Sequence, residues 1–274
     1  MRIREVAELI ETYAPFSGGV AGDELGLLAG DPEAEVTGVA TCWSPTLAVL
    51  EAAARAGANM VIGHEPLTWG MCGRDPEARL SWYDERHPTA KIPNQLRMAS
   101  ICANRLAVYR YHSNWDWAPQ YGMVDMLAGL LELGPAKGGH RMVPLYVIPP
   151  TSLRDLAERA RRKLELGPIR VVGDLERRIT RIAITHGGFG QMFTSPEMAL
   201  NVGAELAFFG EMLDYTARYC VEANLAAIEL GHFQSENPGM IGMAQFLRAR
   251  LPQAIPVCNI PSGEPWRYLG KSGT

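Results

Sequence analysis

Met60-Val61-Ile62-Gly63-His64-Glu65-Pro66-Leu67 is an apolar run that passes directly into two side chains able to bind a metal ion and is then stopped by proline. A short apolar stretch without alternation suits a strand buried on both faces, as in a parallel sheet, and ligands of such sheets bind just beyond the carboxyl ends of the strands. His64 and Glu65 stand at such an end. An isolated pair of this kind is most often a loop histidine beside a solvated glutamate, so the rest of the chain has to decide what it means.

Upstream, Val36 to Cys42 reads as a strand. Ser44 as N-cap, Pro45 at the first helical position, Leu47, Leu50 and Ala54 along one side and Gly57 as a stop predict a helix between the two strands. Strand, helix and strand with short connections make a βαβ unit, whose right-handed crossover sets the strands parallel. Val6, Leu9, Ile10 and Tyr13 recur at helical spacing before Pro15, and Asp23 to Gly30 reads as a connection rich in Gly and Asp.

Downstream, residues 68–90 show no period and read as a long loop or lid beside the site. A helix over Ile92 to Asn104, a strand over Leu106 to Tyr111 and a helix from Met123 to Leu131 follow. Met142 to Ile148 reads as a strand stopped by Pro149 and Pro150, and Ser152 with Asp155 caps a helix reaching Leu166. Strands over Ile169–Val172 and Ile179–Thr185 lead to the turn His186-Gly187-Gly188-Phe189-Gly190. That turn has neither the spacing of a dinucleotide fingerprint nor the lysine of a P-loop. A helix over Tyr215–Asn224, a strand over Leu225–Leu230, a helix over Ile241–Leu251 and a strand over Ile255–Ile260 complete the reading.

The composition excludes several classes. The 274 residues, 47% hydrophobic and 20% charged, suit about two domains with ample core. A net charge of -4 lacks the basic excess of a protein held by phosphates, and the densest basic cluster, Arg159, Arg161, Arg162 and Lys163, reads as a solvated helix end; nucleic acid is not an expected partner. Arg2, Arg4 and Glu5 stand where a signal peptide needs its apolar core, and no window reaches the ~18 apolar residues of a span, so a cytoplasmic protein without membrane contact is expected. Cys42, Cys72, Cys102, Cys220 and Cys258 are odd in number with no C-x-x-C pair, and read as reduced, mostly buried thiols.

The chain also echoes itself. Val39-Ala40-Thr41, Ser44-Pro45, a helix, Gly57-Ala58, a strand and Gly63-His64 are matched by Ala183-Ile184-Thr185, Ser195-Pro196, a helix, Gly203-Ala204, a strand and Gly210-Glu211. This weak internal repeat predicts two related α/β halves and makes Glu211 equivalent to His64.

Three apolar strands thus end in metal-capable residues: His64-Glu65, His112-Ser113-Asn114-Trp115-Asp116, and His232 with Glu236 one turn away. Imidazoles and carboxylates without thiolate suit two divalent ions with mixed N/O ligands rather than a structural zinc. Two such ions about 3.5–4 Å apart activate water and stabilise an oxyanion, so hydrolysis is the natural reaction class. His112 is a candidate proton shuttle, and Glu211 and His186 are weaker participants. Trp69, Trp115 and Trp117 offer stacking surfaces for a planar base, with packing the stronger reading.

These residues resemble the NIF-three-like (Ngg-interacting-factor-three-like) proteins, homologues of GTP cyclohydrolase I type 2. That family carries His-His-Pro-Leu after a buried strand, His-Thr-Asn-Leu-Asp after a later one and Gly-His-x-x-Ser-Glu near the C-terminus. This chain shows His64-Glu65-Pro66-Leu67, His112-Ser113-Asn114-Trp115-Asp116 and Gly231-His232-Phe233-Gln234-Ser235-Glu236 in the same order, with Asp23-Glu24-Leu25-Gly26-Leu27 a further shared feature. The resemblance implies His64, Asp116, His232 and Glu236 as ligands, two related α/β halves with mostly parallel or mixed sheets, metals in the cleft between the halves, and a homohexamer.

Glu65 is the departure, standing where the family has its second histidine. A carboxylate there still binds metal but favours Mn²⁺, Fe²⁺ or Mg²⁺ over Zn²⁺. The expected division is 1–120 with 232–274 as one discontinuous domain and 121–231 as the other. The expected function is a dinuclear metal hydrolase of a small molecule, a nucleotide ring or a phosphoester, with Glu65 or His112 as proton carrier. The alternative is a non-catalytic metal-binding scaffold or regulatory protein that acts through a protein partner.

Overall fold

The structure, a computed structural model, describes residues 1–68, 92–191 and 194–269. In chain order these form α1 (Ile3–Tyr13), β1 (Gly26–Ala29), β2 (Val39–Cys42), α2 (Leu47–Arg55), β3 (Met60–Gly63), α3 (Ile92–Asn104), β4 (Ala107–Arg110), α4 (Ser113–Asp116) and α5 (Met123–Leu130). Then come β5 (Gly138–His140), β6 (Val143–Ser152), α6 (Leu153–Lys163), β7 (Arg170–Val172), β8 (Arg178–Thr185), α7 (Thr194–Asn201), β9 (Leu206–Phe209), α8 (Asp214–Glu222), β10 (Ala226–Glu229), α9 (His232–Arg248) and β11 (Val257–Asn259). The loop or lid expected over 68–90, with Trp69, lies outside the described residues from 69 onward. No helix among the described residues is long and apolar enough to cross a membrane.

The fold is α/β, with two mixed sheets and helices packed on them, as expected. One unit holds Met1–Trp115 and Met243–Ser262. Its sheet runs β1-β4-β3-β2-β11. Strands β11, β2, β3 and β4 are parallel, and β1 adds an antiparallel edge. Met60, Val61 and Ile62 of β3 are fully buried. Val61 joins Ala40 and Val108 of the neighbouring strands and Val49, Leu50 and Ala53 of α2 in one cluster. Burying a leucine such as Leu50 contributes about 1.5–3 kcal/mol.

The second unit holds Asp116–Gly242 and the chain from Gly263 onward. Its sheet runs β5-β6-β8-β9-β10-β7, with β8, β9 and β10 parallel and β6 and β7 antiparallel to their neighbours. Successive strand residues point to opposite faces. Ile182, Ile184, Leu206, Phe208, Ala226 and Ile228 enter one core cluster, while Ala183, Ala207, Phe209 and Ala227 enter the other. Both faces are covered there, which is why Ile182–Ile184, Leu206–Phe209 and Ala226–Ile228 read as unbroken apolar runs.

The internal repeat is written in the strand registers. The order α1-β1-β2-α2-β3-α3-β4 recurs as α6-β7-β8-α7-β9-α8-β10, and in both copies the first strand pairs antiparallel with the last. Thr41 lies opposite Ile62, and Ile62 opposite Tyr109; Thr185 lies opposite Phe209, and Phe209 opposite Glu229. Just beyond, Tyr111 N–H donates to Gly63 O at 3.0 Å and Gly231 N–H to Gly210 O at 2.8 Å. His64 is therefore equivalent to Glu211, and His112 to His232.

Several local expectations are corrected. Asp23–Gly30 contains strand β1; glycines with φ +94 and +95 at positions 26 and 30 give it the look of a connection. Thr46, not Ser44, caps α2, its side chain accepting from Val49 N–H, while Ser44 N–H donates to Ser262 Oγ. Strand β6 runs through Pro149 and Pro150 because its pairing with β8 shifts between Val147 and Thr151, and an irregularity there spares the ladder the two missing N–H groups. Helix α9 starts at His232 and continues through Pro238, well before Ile241. The short strand β5 lacks an apolar pattern, all three of its residues being exposed. Cys42 and Cys220 are buried, Cys258 is half-buried and Cys102 exposed; Cys72 is outside the described residues.

Candidate metal centre

In the first unit the site begins where β3 ends. His64 and Glu65 both donate their N–H to Trp43 O, at 3.0 and 2.8 Å, which ties the residues beyond β3 to those beyond β2. The His64 ring is fully buried, with Nδ1 3.2 Å from Tyr111 O. A carbonyl only accepts, so Nδ1 carries the proton and Nε2 keeps the lone pair that a metal needs.

The His112 ring lies 4.5 Å from that of His64, centroid to centroid. Its Nδ1 is 2.7 Å from Asp23 Oδ2. Asp23 also accepts from Ser113 N–H at 3.2 Å and Ser113 Oγ at 2.6 Å, and pairs with Arg110 at 2.8 Å. Arg110 in turn donates to His64 O at 2.9 Å and Glu24 O at 2.8 Å. Burial by itself would raise the Asp23 pKa, but hydrogen bonds and charge from His112, Ser113 and Arg110 outweigh it and hold the carboxyl well below the usual carboxylate range. His64, Glu65 and His112 each offer one ligand atom, all within 4.8 Å of one another.

In the second unit α9 places His232 and Glu236 one turn apart, with Nε2 and Oε2 separated by 3.2 Å. His232 Nδ1 lies 3.4 Å from Glu211 Oε2, and His186 Nε2 lies 3.5 Å from Asp116 Oδ1. Asp116 and Glu236 are each 4% exposed. Gly187 follows β8 with φ +59, and a Cβ there would sit 1.9 Å from Glu236 Oε1. Only glycine allows the turn this close to the carboxylate. Gly187 N–H donates to Ser235 Oγ, whose hydroxyl donates to His232 O, and Glu211 N–H donates to Gly187 O.

The donor set fits divalent ions. It consists of imidazole nitrogens and carboxylate oxygens, and the pair separations of 3.2–3.5 Å match two atoms held about 2.0–2.2 Å from one ion. Buried carboxylates are favourable only where positive charge compensates them.

Of the residues expected from the sequence, His64, Glu65 and His112 gather in the first unit. Asp116 meets His186, and His232 meets Glu211 and Glu236, in the second. Trp115 is fully buried against Tyr13 and Phe246, at ring distances of 6.0 and 5.7 Å, so it belongs to the core. The Arg141 guanidinium lies over the Trp117 ring at 4.6 Å. The roles of Asp23 and Arg110 are the omission: their contacts span 46 to 90 residues, and only the Asp23–Leu27 likeness pointed to the segment.

A family model described as Duf34/NIF3 (NGG1p interacting factor 3) matches residues 1–265. The chain belongs to the Duf34/NIF3 family. Among its relatives, proteins named "GTP cyclohydrolase 1 type 2 homolog" from Clostridium acetobutylicum and Clostridium perfringens are each 25% identical, over 92% and 98% of this chain and 91% and 100% of theirs. A solved Bacillus cereus protein described as related to NIF3 shares the fold, with a TM-score of 0.80 at 17% identity over 98% of this chain and 99% of that one.

Proposed function

We propose that this Duf34/NIF3 member is a dinuclear divalent-metal hydrolase of a small molecule carrying a nucleotide ring or a phosphoester. Its metal ligands are His64, Glu65, Asp116, His232 and Glu236. The observation that carries this reading is the placing of the His64 and Glu65 ligand atoms within 4.8 Å of each other and of the His112 ring, with the His64 ring held through Nδ1. The relatives' name, GTP cyclohydrolase 1 type 2 homolog, supports a nucleotide as the first substrate to try. A homohexamer is the assembly this reading expects.

Held by these residues, paired divalent ions would supply an activated water and offset the negative charge that develops on the substrate. The chain's own residues do the rest. Asp23 holds the proton on His112 Nδ1, which keeps Nε2 as the basic atom that accepts a proton and returns it to the leaving group. Glu65 adds negative charge beside His64, favours the harder ions and is the second candidate proton carrier. Buried His64 excludes water from its side of the cluster.

The test is metal analysis of protein purified without chelator and reconstituted with Mn²⁺, Fe²⁺ and Zn²⁺, followed by a panel of nucleotides and phosphoesters. Up to about two ions per chain are expected, and fewer than about half an ion per chain sinks the reading. Glu236→Ala should lose metal and turnover while the fold persists. Metal loading without turnover on any member of the panel assigns the chain instead to the scaffold reading.

A further inference from the structure

His186 follows β8 directly and is 1% exposed. Neither ring nitrogen has a hydrogen-bond partner, although Nε2 approaches Asp116 Oδ1 to 3.5 Å and the ring meets Phe189 edge-on at 5.6 Å. An imidazole always carries at least one N–H donor and, when neutral, one acceptor, so burying both without a partner is unfavourable and demands an explanation.

The strand registers supply a comparison within the molecule. Aligning Thr41 with Thr185 puts Cys42 in the first unit where His186 stands in the second. Cys42 is fully buried, and burial pushes its thiol pKa up, so that thiol stays neutral and inert. The repeated fold therefore accepts a small apolar side chain at this position; the larger, polar imidazole in the second unit is not required by the packing plan.

The surroundings of His186 complete the case. Asp116 beside it is a buried carboxylate, and the next residue is Gly187, whose missing side chain makes room for Glu236 Oε1 and His232 Nε2. A separation of 3.5 Å is long for a charge-assisted hydrogen bond. It is the separation of two ligands sharing one ion about 2.1 Å from each.

We infer that His186 is a further ligand of the divalent ion bound by Asp116, an addition to the five ligands named above. This inference rests on the metal reading of the preceding section and extends it to a residue on a different strand end. An added imidazole shifts the preference of that ion position towards borderline ions such as Zn²⁺ and Fe²⁺.

The experiment compares wild type with His186→Gln and His232→Ala, using Zn²⁺ and Mn²⁺ as probes. Gln keeps the approximate volume and can hydrogen-bond to Asp116, but it is a poor ligand. His186→Gln should remain folded by circular dichroism and bind Zn²⁺ about 10- to 100-fold more weakly, with Mn²⁺ affected less. Wild-type protein carrying ¹⁵N-histidine should show a His186 ring nitrogen moving to a metal-bound chemical shift on Zn²⁺ addition, a readout that does not depend on any variant folding. If His232→Ala loses Zn²⁺ while His186→Gln binds like wild type, or if the His186 resonance stays put as Zn²⁺ binds, the inference is overturned and the metal reading stands. If wild type takes up no ion, both fall together.

Discussion

His112 Nδ1 lies 2.7 Å from Asp23 Oδ2, a contact between residues 89 positions apart that orients the imidazole and compensates a buried arginine at once. Replacing Asp23 by Asn removes the charge opposite Arg110 and leaves the His112 tautomer undirected. Asp23→Asn should destabilise the protein by about 3 kcal/mol in denaturant titration, because a nearly buried guanidinium loses its carboxylate. Turnover of any substrate found should fall by about 10- to 100-fold with little change in metal content. A variant as stable as wild type would show that Arg110 is satisfied by Glu24 O and His64 O alone.

Gly187 has φ +59, and its missing Cβ leaves room for the Glu236 carboxylate. Gly187→Ala introduces both backbone strain of about 1 kcal/mol and a clash that displaces Glu236. The expected result is a lower melting temperature together with weakened metal binding. Gly203→Ala, also at positive φ but with open space around the added Cβ, is the control that should lower stability without touching metal.

Glu65 stands beside His64 where the family's second histidine is expected. Glu65→His replaces a hard oxygen ligand by a borderline nitrogen, so the ratio of Zn²⁺ to Mn²⁺ affinity should rise by about tenfold or more. Competition between the two ions, read by elemental analysis, measures it. An unchanged ratio would place Glu65 outside the ligand shell.

Glu205 clasps β8 from the start of β9. One oxygen accepts from Thr180 N–H, Thr180 Oγ1 and Arg181 N–H at 2.8, 2.9 and 3.1 Å. Burial would raise its pKa, but these bonds and the Arg181 charge lower it below the ordinary value. A carboxyl with a depressed folded pKa contributes stability above its unfolded pKa of about 4.3, and that contribution is lost as the pH falls through the lower folded value. Glu205→Gln should therefore be less stable than wild type by about 2 kcal/mol at pH 7. Unfolding curves recorded down to pH 3 should show the gap closing only below about pH 4.

Much of this protein was legible because its strongest signals are local. Helix α3 spans Ile92–Asn104, the stretch expected to be helical, and Ser152 caps α6 by accepting from Asp155 N–H, as its place before the helix suggests. Strands β3 and β9, and Ile182–Ile184 of β8, announce themselves because covering both faces leaves no polar positions to interrupt the run. The order of the strand ends that carry imidazoles and carboxylates was likewise readable, since each follows an apolar run directly.

What the sequence by itself determined is the α/β class, the repeated βαβ plan and the placing of His64, Glu65, Asp116, His232 and Glu236 at or just beyond strand ends as candidate ligands. The tertiary structure alone decided the partners. That Asp23 directs His112, that Gly187 bonds Ser235 and makes room for Glu236, and that His186 lies buried beside Asp116 depend on contacts across 48 to 89 residues. No periodicity carries such information, because a hydrogen bond between distant segments is set by strand register and loop path. The start of α9 at His232 belongs with them: Pro238 marks a helix break in isolation, yet the helix runs through it, with Gly239 lying close to Met123 and Gly242 close to Tyr121.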